Sequence, residues 1–232
     1  MPFFNAVTPG RRDKTYESLA ISRRLGGSAL IRANETALEF QPEMQSEDDR
    51  CAEHRRFQKI DAAFREGKLA ALKAAVDDPE SVPNGPMPMA IGPCLEYAIY
   101  HSPVAFIREL LELGAEPNPE DHTGFPPLIA ALSCSRPHPG SPGRKDTIEV
   151  LALLLTFGAD PNQRGLNDYT ALHMAVGERH TEAVRLLLES GADPSVRTRI
   201  DECETPLEMA EKAGLQDLVT LLSQALGGRP HR

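Results

Sequence analysis

A short phrase, Gly-Ala-acidic-Pro, returns three times in this sequence, and no other feature limits the fold so tightly. It stands as "GAEPN" at 114–118, "GADPN" at 158–162 and "GADPS" at 191–195, with spacings of 44 and 33 residues. A second phrase keeps step with it: "PCLEYA" at 93–98, "PPLIAA" at 126–131, "TALHMA" at 170–175 and "TPLEMA" at 205–210. Its leucines, Leu95, Leu128, Leu172 and Leu207, are 33, 44 and 35 residues apart. Self-similarity at such a period belongs to arrays, in which each unit buries its apolar face only against its neighbours.

The text between the phrases has helical period. "HSPVAFIRELLELGA", "DTIEVLALLLTFGA" and "HTEAVRLLLESGA" each gather apolar residues on one face and end in Gly, which suits a left-handed C-terminal cap. Thr205-Pro206-Leu207-Glu208 reads as a helix start, with Thr205 as cap, Pro206 where no N–H is needed and Glu208 able to reach back. Aromatics are only 5% of the chain and Trp is absent, which favours packed helices over strands. The fold class expected is all-α, each unit being a short helix, a turn, a second helix and a loop leading to the next phrase.

These residues resemble the ankyrin repeat, whose pattern is T-P-L-H-x-A followed by a leucine helix and G-A-D-x-N. The resemblance implies a solenoid of stacked antiparallel helix pairs, with loops projecting as β-hairpin fingers beside a concave groove. Repeats are expected at about 57–90, 91–123, 124–167, 168–202 and 203–226, followed by a tail at 227–232. The first keeps only Ala63, Gly67, Leu69 and Leu72 of the pattern and reads as an N-terminal cap. The last stops after its second helix and reads as the opposite cap, since an inner repeat at either end would expose its apolar face.

Two stretches depart from the pattern. The 44-residue repeat holds an insertion, "SCSRPHPGSPGRKD" at 133–146, whose prolines and glycines exclude helix. It is expected between the two helices of its repeat, at the end of the stack opposite the fingers, either as a tolerated surface loop or as a recognition element. Residues 1–56 do not match the repeat. "SALIRANETALEF" at 28–40 reads either as a hairpin turning at Ala33-Asn34-Glu35 or as two helix fragments. Residues 1–32 carry six basic and two acidic groups, and 33–56 carry three and seven, so the extension reads either as a partly disordered arm or as a segment lying along the acidic repeats.

Charge and cysteines narrow the function. Residues 57–226 carry 14 Lys+Arg against 25 Asp+Glu within a net charge of −9, which argues against nucleic acid or an anionic membrane as partner. Cys51, Cys94, Cys134 and Cys203 are scattered without a CxxC, as in a cytoplasmic protein with reduced thiols. The N-terminal text has no signal-peptide pattern, and no run approaches the ~20 apolar residues of a membrane helix. Cys51 and His54 lack a second ligand pair, Cys134 has no evident base, and Gly26-Gly27 follows basic residues rather than a strand. No metal, cofactor or catalytic group is therefore expected. His173 falls on the His of the family pattern, where the resemblance implies a hydrogen bond to the neighbouring loop. The other units have Glu96, Ile129 and Glu208 there, which no shared catalytic role would allow.

Binding is the function that remains, as a non-catalytic protein-interaction module that is monomeric on its own. The resemblance places variable positions on the finger tips and at the inner helix ends. In this sequence they are Glu120, His122, Thr123 and Phe125, with Ser133 and Cys134; then Arg164, Leu166, Asn167, Tyr169 and Glu178; then Arg197, Arg199, Ile200 and Glu204; and, at the other side, Tyr100 and His101. Phe125 and Tyr169 hold equivalent places in adjacent repeats and are expected ~10 Å apart, as paired anchors for a partner. A narrower expectation is an immunity-type inhibitor that covers the basic cleft of a toxic or enzymatic partner. An enzyme built on residues 1–56 is disfavoured, because that segment has one His, one Cys and no catalytic grouping. A purely architectural linker would instead depend on the outer helices.

Overall fold

The structure is a computed structural model and describes residues 47–85, 87, 91–119, 125–136, 143–165, 168–199 and 203–227. Contacts divide the chain into residues 1–53 and residues 54–232. Of the first unit, only the start of helix α1 (Glu47–Glu66) lies among the described residues, so the hairpin expected at 28–40 falls outside them. That helix begins ahead of the boundary expected at 57. Asp48 and Asp49 stand in its first turn, where the helix dipole favours negative charge.

The second unit is a solenoid of helix pairs. After α2 (Leu69–Ala75) and a 3-10 turn at Pro79–Ser81, the inner helices are α3 (Cys94–His101), α5 (Pro127–Ser133), α7 (Ala171–Gly177) and α9 (Pro206–Lys212). The outer helices are α4 (Val104–Glu112), α6 (Thr147–Thr156), α8 (Thr181–Glu189) and α10 (Gln216–Gly227). Each inner helix packs on its own outer helix and on the inner helices beside it; the outer helices line up in the same way. Among the described residues no strand forms. At the described residues of the fingers expected as β-hairpins, the backbone bonds are Gly165 N–H to Tyr169 C=O (2.8 Å), Asp168 N–H to Gly165 C=O (2.9 Å) and Thr198 N–H to Glu204 C=O (3.1 Å).

Local chemistry starts and stops these helices. Thr170 and Thr205 each form a capping box, with His173 and Glu208 as the reciprocal partners, and Pro206 and Pro127 stand at the first helical turn. Outer helix α6 ends at Gly158 with φ +87°, a left-handed geometry that glycine adopts without a Cβ clash. Its end carries paired return bonds, Ala159 N–H to Leu154 C=O (3.0 Å) and Gly158 N–H to Leu155 C=O (3.1 Å). Ala115 and Ala192 repeat the Ala159 bond at the ends of α4 and α8.

The apolar stripes meet in one continuous core. Phe64, Ile99, Ile107, Leu110, Ile129, Leu151, Leu154, Leu172 and Leu187 are fully buried, each worth ~1.5–3 kcal/mol in transfer free energy. Phe64 of α1 meets Tyr97 and Phe106 edge-on, with ring centroids 4.9 and 5.9 Å away, which joins the first helix to the first inner and outer helices of the stack.

A polar ladder runs beside the core. Asn118 donates to Gly158 C=O (2.8 Å) and accepts from Asp160 N–H (2.6 Å); Asn162 does the same with Gly191 (3.2 Å) and Asp193 (2.7 Å). Asn84 continues it backwards, to Gly114 (2.8 Å) and Glu116 (2.9 Å). The final place is held by Ser195, which bonds instead to Asp193 of its own turn.

Candidate partner-binding surface

The residues expected to bind separate into two rows, one at each end of the inner helices. Inner helices of seven or eight residues are ~10–12 Å long, which sets the distance between the rows. Phe125, Arg164, Tyr169, Arg197, Arg199 and Glu204 lie on the fingers that lead into α5, α7 and α9. Tyr100, His101 and Glu178, together with Ser133 and Cys134, lie at the far ends of α3, α5 and α7. Glu120, His122, Thr123, Leu166, Asn167 and Ile200 fall outside the described residues.

The far row is built from caps. The Tyr100 hydroxyl pairs with Ser133 Oγ of the next inner helix at 3.1 Å. His101 lies tilted against Tyr97 with ring centroids 4.3 Å apart, and Tyr97 Oη donates to Asp61 at 2.7 Å. Burial holds the His101 imidazole below the ordinary histidine pKa. Cys134 is buried, its thiol pushed up to about 11 by desolvation, and Cys94 is pushed up to about 12, so both are inert thiols rather than nucleophiles.

The ends of the insertion belong to this row. Arg144 N–H closes onto Cys134 C=O at 2.7 Å, fixing the base of the loop. The Arg144 guanidinium, only 9% exposed, reaches back to Ile99 C=O and Ser102 C=O (2.9 Å) at the end of α3 and pairs with Asp146 at 2.7 Å. Arg136 reaches forward to Glu178 C=O at the end of α7 and pairs with the Glu178 carboxylate at 2.6 Å. Each arginine thus meets the negative end of a neighbouring inner helix.

The finger row is cross-braced. Phe125 is half-buried against the core, and its N–H donates to Glu96 Oε1 at 3.2 Å. Glu96 has its pKa raised by burial, an effect this bond opposes. Tyr169 is half-exposed, edge-on to the buried His173 ring at 5.5 Å. His173 Nδ1 accepts from Thr170 N–H (3.3 Å), which leaves Nε2–H to donate to Glu204 C=O in the next finger (3.2 Å). Arg197 grips Glu208 with two bonds, at 2.7 and 2.5 Å, and also holds Cys203 C=O (2.8 Å), while Lys212 pairs with Glu204 (3.3 Å). Arg164 and Arg199 both close on Asp168, at 2.7 Å each.

Register locates residues that the sequence reading passed over. Met174 and Met209 each stand four places after the capping threonine, on the neighbouring inner helices α7 and α9. Both are half-buried against the core, an adaptable apolar floor between the two rows. Asp168 was also passed over, although it stands two places before Thr170, where the equivalent position of the preceding repeat is Gly124. Among the described residues no three His, Cys, Asp or Glu side chains are grouped so as to hold a metal ion, and no helix is long and apolar enough to cross a membrane.

Comparison with known proteins fits this geometry. A family model described as ankyrin repeats, in three copies, matches residues 143–230. Residues 143–230 carry ankyrin repeats. The chain is 33% identical over 105 residues to the human SH3 and multiple ankyrin repeat domains protein 2, covering 45% of this chain and 5% of that protein. It is 47% identical over 51 residues to a putative ankyrin repeat-containing protein of Treponema pallidum, covering 22% and 17%. It is also 47% identical over 72 residues to an L-asparaginase of Dirofilaria immitis, covering 31% and 12%. The chain thus spans under a fifth of each of these relatives, and the enzyme name on one of them carries no activity across. Ankyrin repeats in general mediate protein–protein interactions.

Proposed function

We propose that this ankyrin stack is a non-catalytic protein-interaction module that works as a single copy in the cytoplasm. Residues 57–226 would be the repeat domain, with repeats at about 57–90, 91–123, 124–167, 168–202 and 203–226. The partner would span from the fingers, at Tyr169, Arg197, Arg199 and Glu204, to the far row, at Tyr100, His101 and Glu178, over Met174 and Met209. The observation that carries this reading is the pair of braced rows, which offers hydrogen-bonding groups and aromatic edges on a frame that packing already holds rigid.

The charges favour a partner of mixed sign over a strongly basic one. Arg136, Arg164, Arg197, Arg199 and Lys212 are each paired with an acidic group of this chain. Among the described residues, Glu109, Glu112, Glu149, Glu182 and Glu189 lie exposed on the outer helices, and Glu116 and Asp160 lie exposed beside the fingers. The inhibitor reading, which needs an acidic groove, gains nothing from that distribution. The four free cysteines fit a reducing compartment.

Tyr169→Ala is the direct test. It removes a half-exposed ring while leaving the buried side chains in place, so capture of the partner should fall by about tenfold or more with little change in the melting temperature. Phe125→Ala is a poorer probe, because Phe125 packs against the core. Undiminished capture by Tyr169→Ala would overturn the assignment.

A further inference from the structure

One residue ties the two described fingers to each other, and it does so from a conformation that costs it. Asp168 has φ +64°, in the left-handed region that side chains other than glycine rarely adopt. The matching position one repeat earlier is Gly124, and one repeat later Cys203, at φ +54°. A strained residue persists where its surroundings over-determine it. Around Asp168 they do.

Its carboxylate is 8% exposed and fully engaged. Oδ1 accepts from Arg199 Nε (3.0 Å) and Nη2 (2.7 Å); Oδ2 accepts from Arg164 Nη1 (2.7 Å) and from the Arg199 backbone N–H. Arg164 also donates through Nη2 to Arg197 C=O at 3.0 Å. One carboxylate therefore binds its own finger through Arg164 and the next finger at residues 197 and 199. On its other side that next finger is held by His173 at Glu204 and by Glu208 at Arg197.

We propose that Asp168 is a positioning residue that locks Arg164 of its own finger and residues 197 and 199 of the next into one preordered edge of the binding surface. The inference rests on the proposed function for its use, though not for its test. Ordering the edge on folding removes that cost from the binding step. Charge-assisted bonds from Arg199, with Arg164 beside it, hold the Asp168 carboxyl down at about 2, so it is ionised at neutral pH. Glycine at this position would relieve the backbone and release the lock, which separates the two effects cleanly.

Amide hydrogen exchange, followed by NMR in the full chain without a partner, reads the lock at the Arg199 N–H. In Asp168→Gly that amide should exchange about tenfold faster or more, as befits loss of a charge-assisted bond, while Val184 and Ala130 keep their wild-type protection. Asp168→Asn keeps the shape and one acceptor but not the charge, and should fall between the two. Unchanged protection at Arg199 in Asp168→Gly, wild-type protection in Asp168→Asn, or equal loss at Val184 and Ala130 would each overturn the proposal. Since no partner takes part, failure here is distinct from retained capture by Tyr169→Ala.

Discussion

His173 shows how one position decides between chemistry and scaffold. Its sequence neighbours implied a hydrogen bond to the adjacent loop, and the ring does span from Thr170 to Glu204 C=O while fully buried. Burial depresses its pKa, with the Glu204 bond acting in the opposite direction and Arg164 and Asp168 nearby. A group whose folded pKa lies below its unfolded value stabilises above the unfolded value, near 6.5, and loses that contribution as pH falls through the folded one. Urea midpoints should therefore drop between about pH 7.5 and about pH 5, the range across which an ordinary histidine titrates. His173→Gln should flatten that slope, with His101, depressed in the same direction, keeping part of it. The asparagine ladder is a second residue-scale feature. Asn118 and Asn162 were legible because they close the Gly-Ala-acidic-Pro phrase. Asn84 was not, because "SVPNG" keeps the Pro-Asn pair and not the Gly-Ala-acidic letters before it. Asn118→Ala removes two bonds to backbone groups and should lower unfolding free energy by ~2 kcal/mol in denaturant titrations.

The helix pairs were legible because their period is written in leucines, while the parts between them were legible only in place. Surplus length and prolines put the insertion between α5 and α6, where Cys134 and Arg144 close its base. Nothing in its spacing shows that Arg144 caps α3 of the preceding repeat or that Arg136 reaches α7, because contacts across 42 to 45 residues leave no periodic trace. Arg144→Ala strips two terminal carbonyls of a buried donor and should cost ~2–3 kcal/mol in thermal or urea unfolding. Removing residues 137–142 with Arg136 and Arg144 retained should cost far less, since loop closure depends weakly on length. The fingers were expected as hairpins; among their described residues no strand forms, and side-chain bonds join one finger to the next. A family pattern says little about Arg197, Arg199 and Asp168, because those positions vary.

At the scale of the molecule, the stack is nearly one-dimensional, each helix pair resting on its neighbours through the aligned inner and outer rows. Composition gave the sign of the net charge but not its distribution. Among the described residues, paired arginines gather along the fingers, and exposed glutamates line the outer helices. The start of α1 at Glu47 was hidden because residues 47–56 carry charge where the repeat pattern has apolar residues. The central claim, that a partner is held across the two rows, is tested most directly by quantitative affinity capture from cells that make the protein. Wild type would be compared with Tyr169→Ala/His101→Ala, one change in each row, and with Glu112→Ala/Glu189→Ala on the outer helices. The account predicts that the row variant loses about tenfold or more of the captured partner and the outer variant keeps it. Loss by the outer variant with full capture by the row variant would contradict it.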